Sequence, residues 1–245
     1  ISFSVIANIR TVAHSKFRHR NSTDQGKVAV FSVNTKIVLF LTALFLISGT
    51  ILFYATEHSG SLRGMNIGTQ YLSAFFQSVT LRTAGFNSVN FGNLAMPTLV
   101  LMMIFMFIGA ASGSTAGGIK VNTVAVLGAS IRSAWKNETE VVLLKKAIPS
   151  ELIAKAFMIF LFGVAAVMLG IFFLSLTENA ALEDIMFEVV SAFGTVGLST
   201  GLTPRLSSPG RFLIIILMFI GRLGPLTVLA AASTVASIST DSTGA

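Results

Sequence analysis

Two stretches of the chain repeat one another 112 residues apart: Thr83-Ala84-Gly85-Phe86 returns as Thr195-Val196-Gly197-Leu198, and each precedes a long apolar segment. The same separation carries Pro97 onto Pro209 and Phe107-Ile108-Gly109 onto Phe219-Ile220-Gly221. Agreement over that span marks an internal duplication, so the fold is built from two like units around a short glycine-containing loop.

The environment follows from how the apolar residues are gathered. They make up 53% of the chain against 11% charged residues. They fall into blocks at 36–55, 96–110, 152–176 and 212–238, long enough to cross a hydrocarbon core of about 30 Å, except the second, which halts at a glycine-rich run. This pattern predicts an all-α integral membrane protein. Residues 1–9 read as the tail of an earlier helix, because the basic cluster follows that apolar stretch where a secretory signal has it in front.

Several chemistries are disfavoured. There is no cysteine, hence no disulfide and no thiolate metal site. His14, His19 and His58 lie in polar stretches and read as solvated or interfacial. The apolar blocks hold no Ser/His/Asp, paired-carboxylate or metal-ligand constellation, which argues against hydrolytic or redox work. No phosphate-binding loop is present, so any driving force has to come from a membrane potential, an ion gradient or a partner.

The net charge of +7 is distributed as a topology signal and not as a nucleic-acid surface. Arg10, Lys16, Arg18, Arg20, Lys27 and Lys36, against Asp24, and then Arg132, Lys136, Lys145, Lys146 and Lys155 place two connections in the cytoplasm. Segments 57–95 and 178–211 hold only Arg63, Arg82, Arg205 and Arg211 and belong outside. Basic juxtamembrane residues also attract anionic lipid.

Each unit then reads as a spanning helix ending near Tyr54 or Leu176, a glutamate (Glu57 or Glu178), a short amphipathic helix (69–80 or 182–193), the loop, and a second apolar helix opened by Pro97 or Pro209. A cytoplasmic connection and an even number of spans separate the copies, so they run parallel. A half-length helix followed by extended backbone survives in a membrane only where protein or a water-filled cavity receives its polar groups. Gly85 and Gly197 permit a positive φ and let neighbouring carbonyls turn to one axis, where a dehydrated cation is the natural occupant. Gly109, Gly113, Gly117 and Gly118, with Ser112, Ser114 and Thr115 among them, interrupt the second apolar helix. The stretch either lines the pore or makes a small-xxx-small helix contact. Arg222, inside an apolar run, demands a cavity or a partner.

Three runs carry a family resemblance: 80–87 (TLRTAGFN), 191–199 (SAFGTVGLS) and 109–120 (GAASGSTAGGIK). Together they resemble the Trk/Ktr/HKT superfamily of potassium transporters. Met218–Thr227 (MFIGRLGPLT) is similar to the bacterial Ktr-type membrane subunit in particular. The resemblance implies parallel helix–pore-loop–helix repeats around a pseudo-fourfold pore, of which two of an expected four are present, so that the chain corresponds to the C-terminal half. Its divisions are then 1–34 (the end of a preceding helix and a basic linker), 35–131 (the third repeat, with a broken second helix), 132–149 (a cytoplasmic linker) and 150–245 (the fourth repeat).

The resemblance further implies K⁺ as cargo, with Na⁺ coupling left open. It assigns the filter to Thr83, Ala84, Gly85 and Phe86 with Thr195, Val196, Gly197 and Leu198, K⁺ lying at residues 83–85 and 195–197. It makes the interrupted stretch an intramembrane gate, formed by Gly109, Ser112, Gly113, Ser114, Thr115, Gly117 and Gly118, with Arg222 and Lys120 contributing. Lys120 also suits the cytoplasmic end of a helix. Arg82 braces the filter or meets entering ions, Glu188 holds the filter by a hydrogen bond, and Glu183 and Asp184 draw cations to the mouth; each of these roles competes with a structural one. The implied setting is a homodimer in a bacterial inner membrane, embedded in lipid and seated on a cytoplasmic nucleotide-binding ring, with no nucleic-acid role. A secondary transporter with a midplane site and a non-transporting scaffold are the rival readings.

Overall fold

The computed structural model describes residues 3–20, 31–144 and 146–224. Asp24, Lys27, Lys145 and the Pro225-Leu226-Thr227 end of the Ktr-like run lie outside the described residues, as do the side chains of His14, Lys16, Arg18, His19 and Arg20. The helices are α1 (Phe3–Arg20), α2 (Val33–Glu57), α3 (Ile67–Thr80), α4 (Met96–Phe107), α5 (Val121–Trp135), α6 (Ser150–Thr177), α7 (Leu182–Phe193) and α8 (Ser208–Leu223). The order α2–α3–α4 is repeated by α6–α7–α8.

α2 and α6 are 25 and 28 residues long, with mean hydropathies of 2.4 and 2.7, and most of each apolar stretch faces outward. Helices of that length whose greasy residues point away from the protein are solvated by hydrocarbon, not water. The sequence places α3 and α7 well. α3 begins two residues earlier than expected because the Asn66 side chain caps it, accepting from Gly68 N at 3.4 Å.

Two expectations need correction. α1 runs through the basic cluster to Arg20 instead of ending near residue 9, since no glycine or proline interrupts 3–20. The fourth apolar block is not one helix over 212–238: α8 starts at Ser208 and is capped by Gly224 in the left-handed region (φ 80°), with Pro225 next in sequence. The described residues are mostly helical, as expected. A small antiparallel ladder, β1 (Val142–Leu143) with β2 (Lys146–Ala147), lies in the linker, and Ile108 bridges Ile119 in parallel.

The two units share contacts as well as order. Gly49 of α2 lies against Ser78 of α3, as Gly170 of α6 lies against Val189 of α7. A short 3₁₀ turn follows each loop, at Phe91–Asn93 and Thr203–Arg205. The units meet where Phe107 of α4 stacks on Phe193 of α7, ring centroids 5.6 Å apart, and the shared core holds Met102, Met106, Ile119 and Phe187.

Each second helix is tied to the glutamate ending the first. Glu57 accepts from Ala95 N at 2.9 Å and Thr98 Oγ1 at 2.6 Å, and its other oxygen accepts from Ser61 N at 3.0 Å. Glu178 accepts from Ser207 N at 3.2 Å and from the Ser207 hydroxyl. A carboxylate at a helix N-terminus satisfies free amides and complements the macrodipole. Glu57 is 1% exposed and has partners in three residues, whereas half-buried Glu178 has Ser207 alone among the described residues. Removing the hydrogen bonds of a charged group costs about 1.5–3 kcal/mol. Glu57→Ala is therefore expected to lower the thermal midpoint of the detergent-solubilised protein by several degrees, and Glu178→Ala by less; size-exclusion after heating measures both.

Candidate functional site: two facing loops above an interrupted helix

The loops after α3 and α7 share an unusual backbone. Thr83 and Gly85 have φ of 68° and 76°, and Thr195 and Gly197 have φ of 50° and 88°, while Ala84 and Val196 between them lie outside the positive-φ region. A chain that alternates in hand sets its peptide groups side by side, N–H groups to one flank and carbonyls to the other. β-Branched threonine is rare in the left-handed region and costs about 1–3 kcal/mol there, so neighbouring contacts must impose it twice.

Those contacts come from the preceding helices. Thr80 Oγ1 accepts from Phe86 N at 2.8 Å and donates to Phe86 O at 2.6 Å; in the second loop Ser191 Oγ accepts from Leu198 N at 3.0 Å. A second strut spans eleven residues in each unit. Gln77 Nε2 donates to Ser88 Oγ at 3.0 Å, and Ser199 Oγ donates to Glu188 at 2.8 Å, with Thr203 adding a further bond to that carboxylate. Glu188 thus braces the backbone behind the loop, and Asp184 accepts from Thr200 Oγ1 at 2.5 Å.

The two loops are brought edge to edge. A Cβ on Gly85 would stand 2.4 Å from Val196 O, and one on Gly197 would stand 3.8 Å from Gly85 Cα. Positions 112 residues apart in sequence therefore face each other across one site.

Beside the loops lies the segment between α4 and α5, which contains no helix, so the helix-contact reading of Gly109, Gly113 and Gly117 does not apply. Its ends are zipped by Gly109 N to Ile119 O at 2.8 Å, Ile119 N to Phe107 O at 3.1 Å and Val121 N to Ala110 O at 3.2 Å. Gly113 and Gly118 take φ of 75° and 68°. Ser114 Oγ donates to Ala111 O at 2.6 Å, so a side chain supplies one bond the broken helix has lost, while Ser112 Oγ accepts from Asn122 at 3.3 Å. Arg222 donates to the Thr115 carbonyl and Lys120 to that of Ala116. Both cations hold the tip of the segment.

Residue order alone assigns no role to Glu57, Glu178, Gln77, Thr80 or Ser191. Their shared signal is recurrence in both units. It is obscured because the register is 121 between the glutamates and 111 between the pore-helix residues, not the 112 of the loops.

The family profile TrkH, cation transport protein, matches residues 26–239. The chain belongs to the TrkH family of cation transport proteins, which are transporters and not enzymes. Among its relatives is the Ktr system potassium uptake protein B of Vibrio alginolyticus, 43% identical over 80% of this chain and 44% of its own length. The protein of the same name from Bacillus subtilis is 43% identical over 80% of this chain and 45% of its own length. The potassium/sodium uptake protein NtpJ of Enterococcus hirae is 39% identical over 86% of this chain and 48% of its own length. The crystal structure of the potassium transporter TrkH from Vibrio parahaemolyticus superposes with a TM-score of 0.72 at 19% identity, covering 94% of this chain and 48% of that one. The TrkH-family chain thus spans about half the length of the relatives it matches.

Proposed function

We propose that this chain supplies two sides of a potassium-uptake pore. The carbonyls of Thr83–Phe86 and Thr195–Leu198 replace the hydration shell of K⁺, and two further loops of the same kind complete a four-sided ring. Carbonyl rings of this type select by the number and field of their dipoles. The observation that carries the reading is the facing pair of alternating-hand loops at Gly85 and Val196. Glycine in both loops agrees with K⁺ preference; names of relatives mention potassium uptake and, for NtpJ, potassium and sodium. The segment 109–120, its tip carrying Arg222 and Lys120, acts as the gate below the filter, and the two cations raise an electrostatic barrier to K⁺.

The working unit is a homodimer in the bacterial inner membrane. The basic cytoplasmic connections bind a regulatory ring subunit, in keeping with relatives named as one protein of a Ktr system. Na⁺ coupling is the finer alternative within the same pore.

Gly197→Ser in the intact transporter, expressed in an uptake-deficient bacterial strain, is expected to abolish or relax K⁺ preference over Na⁺ at unchanged membrane abundance. Unchanged uptake and selectivity would remove the carbonyl filter and favour a midplane transporter or a scaffold.

A further inference from the structure

Arg82 and Thr195 each reach from a filter loop to the interrupted segment. The Arg82 guanidinium is half-buried, lies over the Phe45 ring with 5.4 Å to its centroid, and donates to Gly109 O at 3.3 Å. Thr195 Oγ1 accepts from Gly117 N at 2.9 Å. The two residues of the segment that make these contacts, Gly109 as acceptor and Gly117 as donor, are not remote from each other. Gly109 and Gly117 touch, since a Cβ on Gly109 would overlap the Gly117 carbonyl oxygen at 1.9 Å. Both loops therefore grip one neck, whereas Arg222 and Lys120 hold the tip at Thr115 and Ala116.

We infer that the filter loops themselves latch the gate, Arg82 and Thr195 acting as positioning residues on the Gly109/Gly117 neck, so that filter and gate move as one coupled unit. This rests on the pore reading above. The Thr195 contact serves both partners: it helps hold a threonine at φ 50° and fixes the gate at the level of the filter. The fit at Gly117 is close, because a Cβ there would stand 2.5 Å from Thr195 Oγ1 and 3.0 Å from Gly194 O. Coupling of this kind is reciprocal: whatever loosens the neck alters the filter, and a change of filter occupancy alters the neck.

The test uses a thiol at a tip position that closure hides. Ala116 is 3% exposed, and this chain has no cysteine of its own. Ala116→Cys is placed in the intact transporter, any thiols elsewhere in it being replaced, and its modification by a maleimide is timed in inside-out membrane vesicles. Thr195→Val and Arg82→Leu are each expected to raise the rate at least about tenfold, while Thr195→Ser and Arg82→Lys restore it toward the parent. A mere packing role for the filter would move uptake and not this rate. Unchanged rates in folded Thr195→Val and Arg82→Leu proteins overturn the latch.

If those variants do not fold, the parent thiol decides alone. Its rate in K⁺ is expected to differ from that in choline by at least about threefold, and equal rates overturn the proposal. Raised rates in Thr195→Val and Arg82→Leu, in a protein whose selectivity survives Gly197→Ser, would leave the latch standing and remove the filter assignment.

Discussion

Gly85→Ala is expected to abolish selective K⁺ uptake, and to do so more completely than Gly197→Ala. At both positions an L residue must enter the left-handed region, at about 1–2 kcal/mol. Gly85 carries a further cost: its new methyl would stand 2.4 Å from the Val196 carbonyl oxygen, a candidate K⁺ ligand, whereas the methyl on Gly197 meets, among the described residues, only Gly85 Cα at 3.8 Å. The Val196 carbonyl has to turn away or the loops have to separate. Each tenfold loss corresponds to about 1.4 kcal/mol, so strain plus displacement of one ligand predicts a fall in uptake at limiting K⁺ of at least about a hundredfold for Gly85→Ala and about tenfold for Gly197→Ala. Uptake measured at matched membrane abundance gives the order; the reverse order would mean that the loops do not face each other as described.

Gly221→Ala is expected to destabilise the fold, against the usual direction of such a change. Inside a helix, alanine in place of glycine gains about 1 kcal/mol. Gly221 sits in α8 where a methyl would stand 1.9 Å from Phe193 O and 2.7 Å from its carbonyl carbon. The obstruction is backbone, at the end of α7 just before Thr195, and cannot rotate aside. Overpacking in a tight core costs typically 1–3 kcal/mol, and more where backbone is struck. Gly128 of α5, with nothing among the described residues within 4 Å of its would-be methyl, is the control. Heated size-exclusion traces should show Gly221→Ala with a lower midpoint and reduced recovery, and Gly128→Ala unchanged or raised. A Gly221→Ala protein as stable as the parent would refute the α7–α8 packing.

Much of the helical layout was legible because hydrocarbon enforces it. Backbone without water must close its own hydrogen bonds, so apolar runs of spanning length become helices, and α2, α6 and α7 fall close to where the runs lie. The halt at Phe107 was legible for the same reason, four glycines and three hydroxyl residues being a poor continuation. The ends of α1 and α8 do not coincide with the ends of the apolar runs. Hydropathy sees neither a polar helix continuing past Arg10 nor a left-handed cap at Gly224 inside an apolar run.

The duplication, the membrane setting and the identity of the two candidate loops could be read from residue order alone, since a repeated motif in a repeated apolar pattern needs no coordinates. Which groups meet could not. Glu57 is bonded to Ala95 and Thr98, Arg82 to Gly109, and Thr195 to Gly117, partners 27 to 78 residues apart. Arg82 read along the chain belongs to the first candidate loop, and only the tertiary structure sets it over Phe45 of α2 and within reach of the Gly109 carbonyl. A hydrogen bond depends on where folding places its two ends within about 3 Å, and residue order carries no distance across elements that touch only when the whole bundle closes.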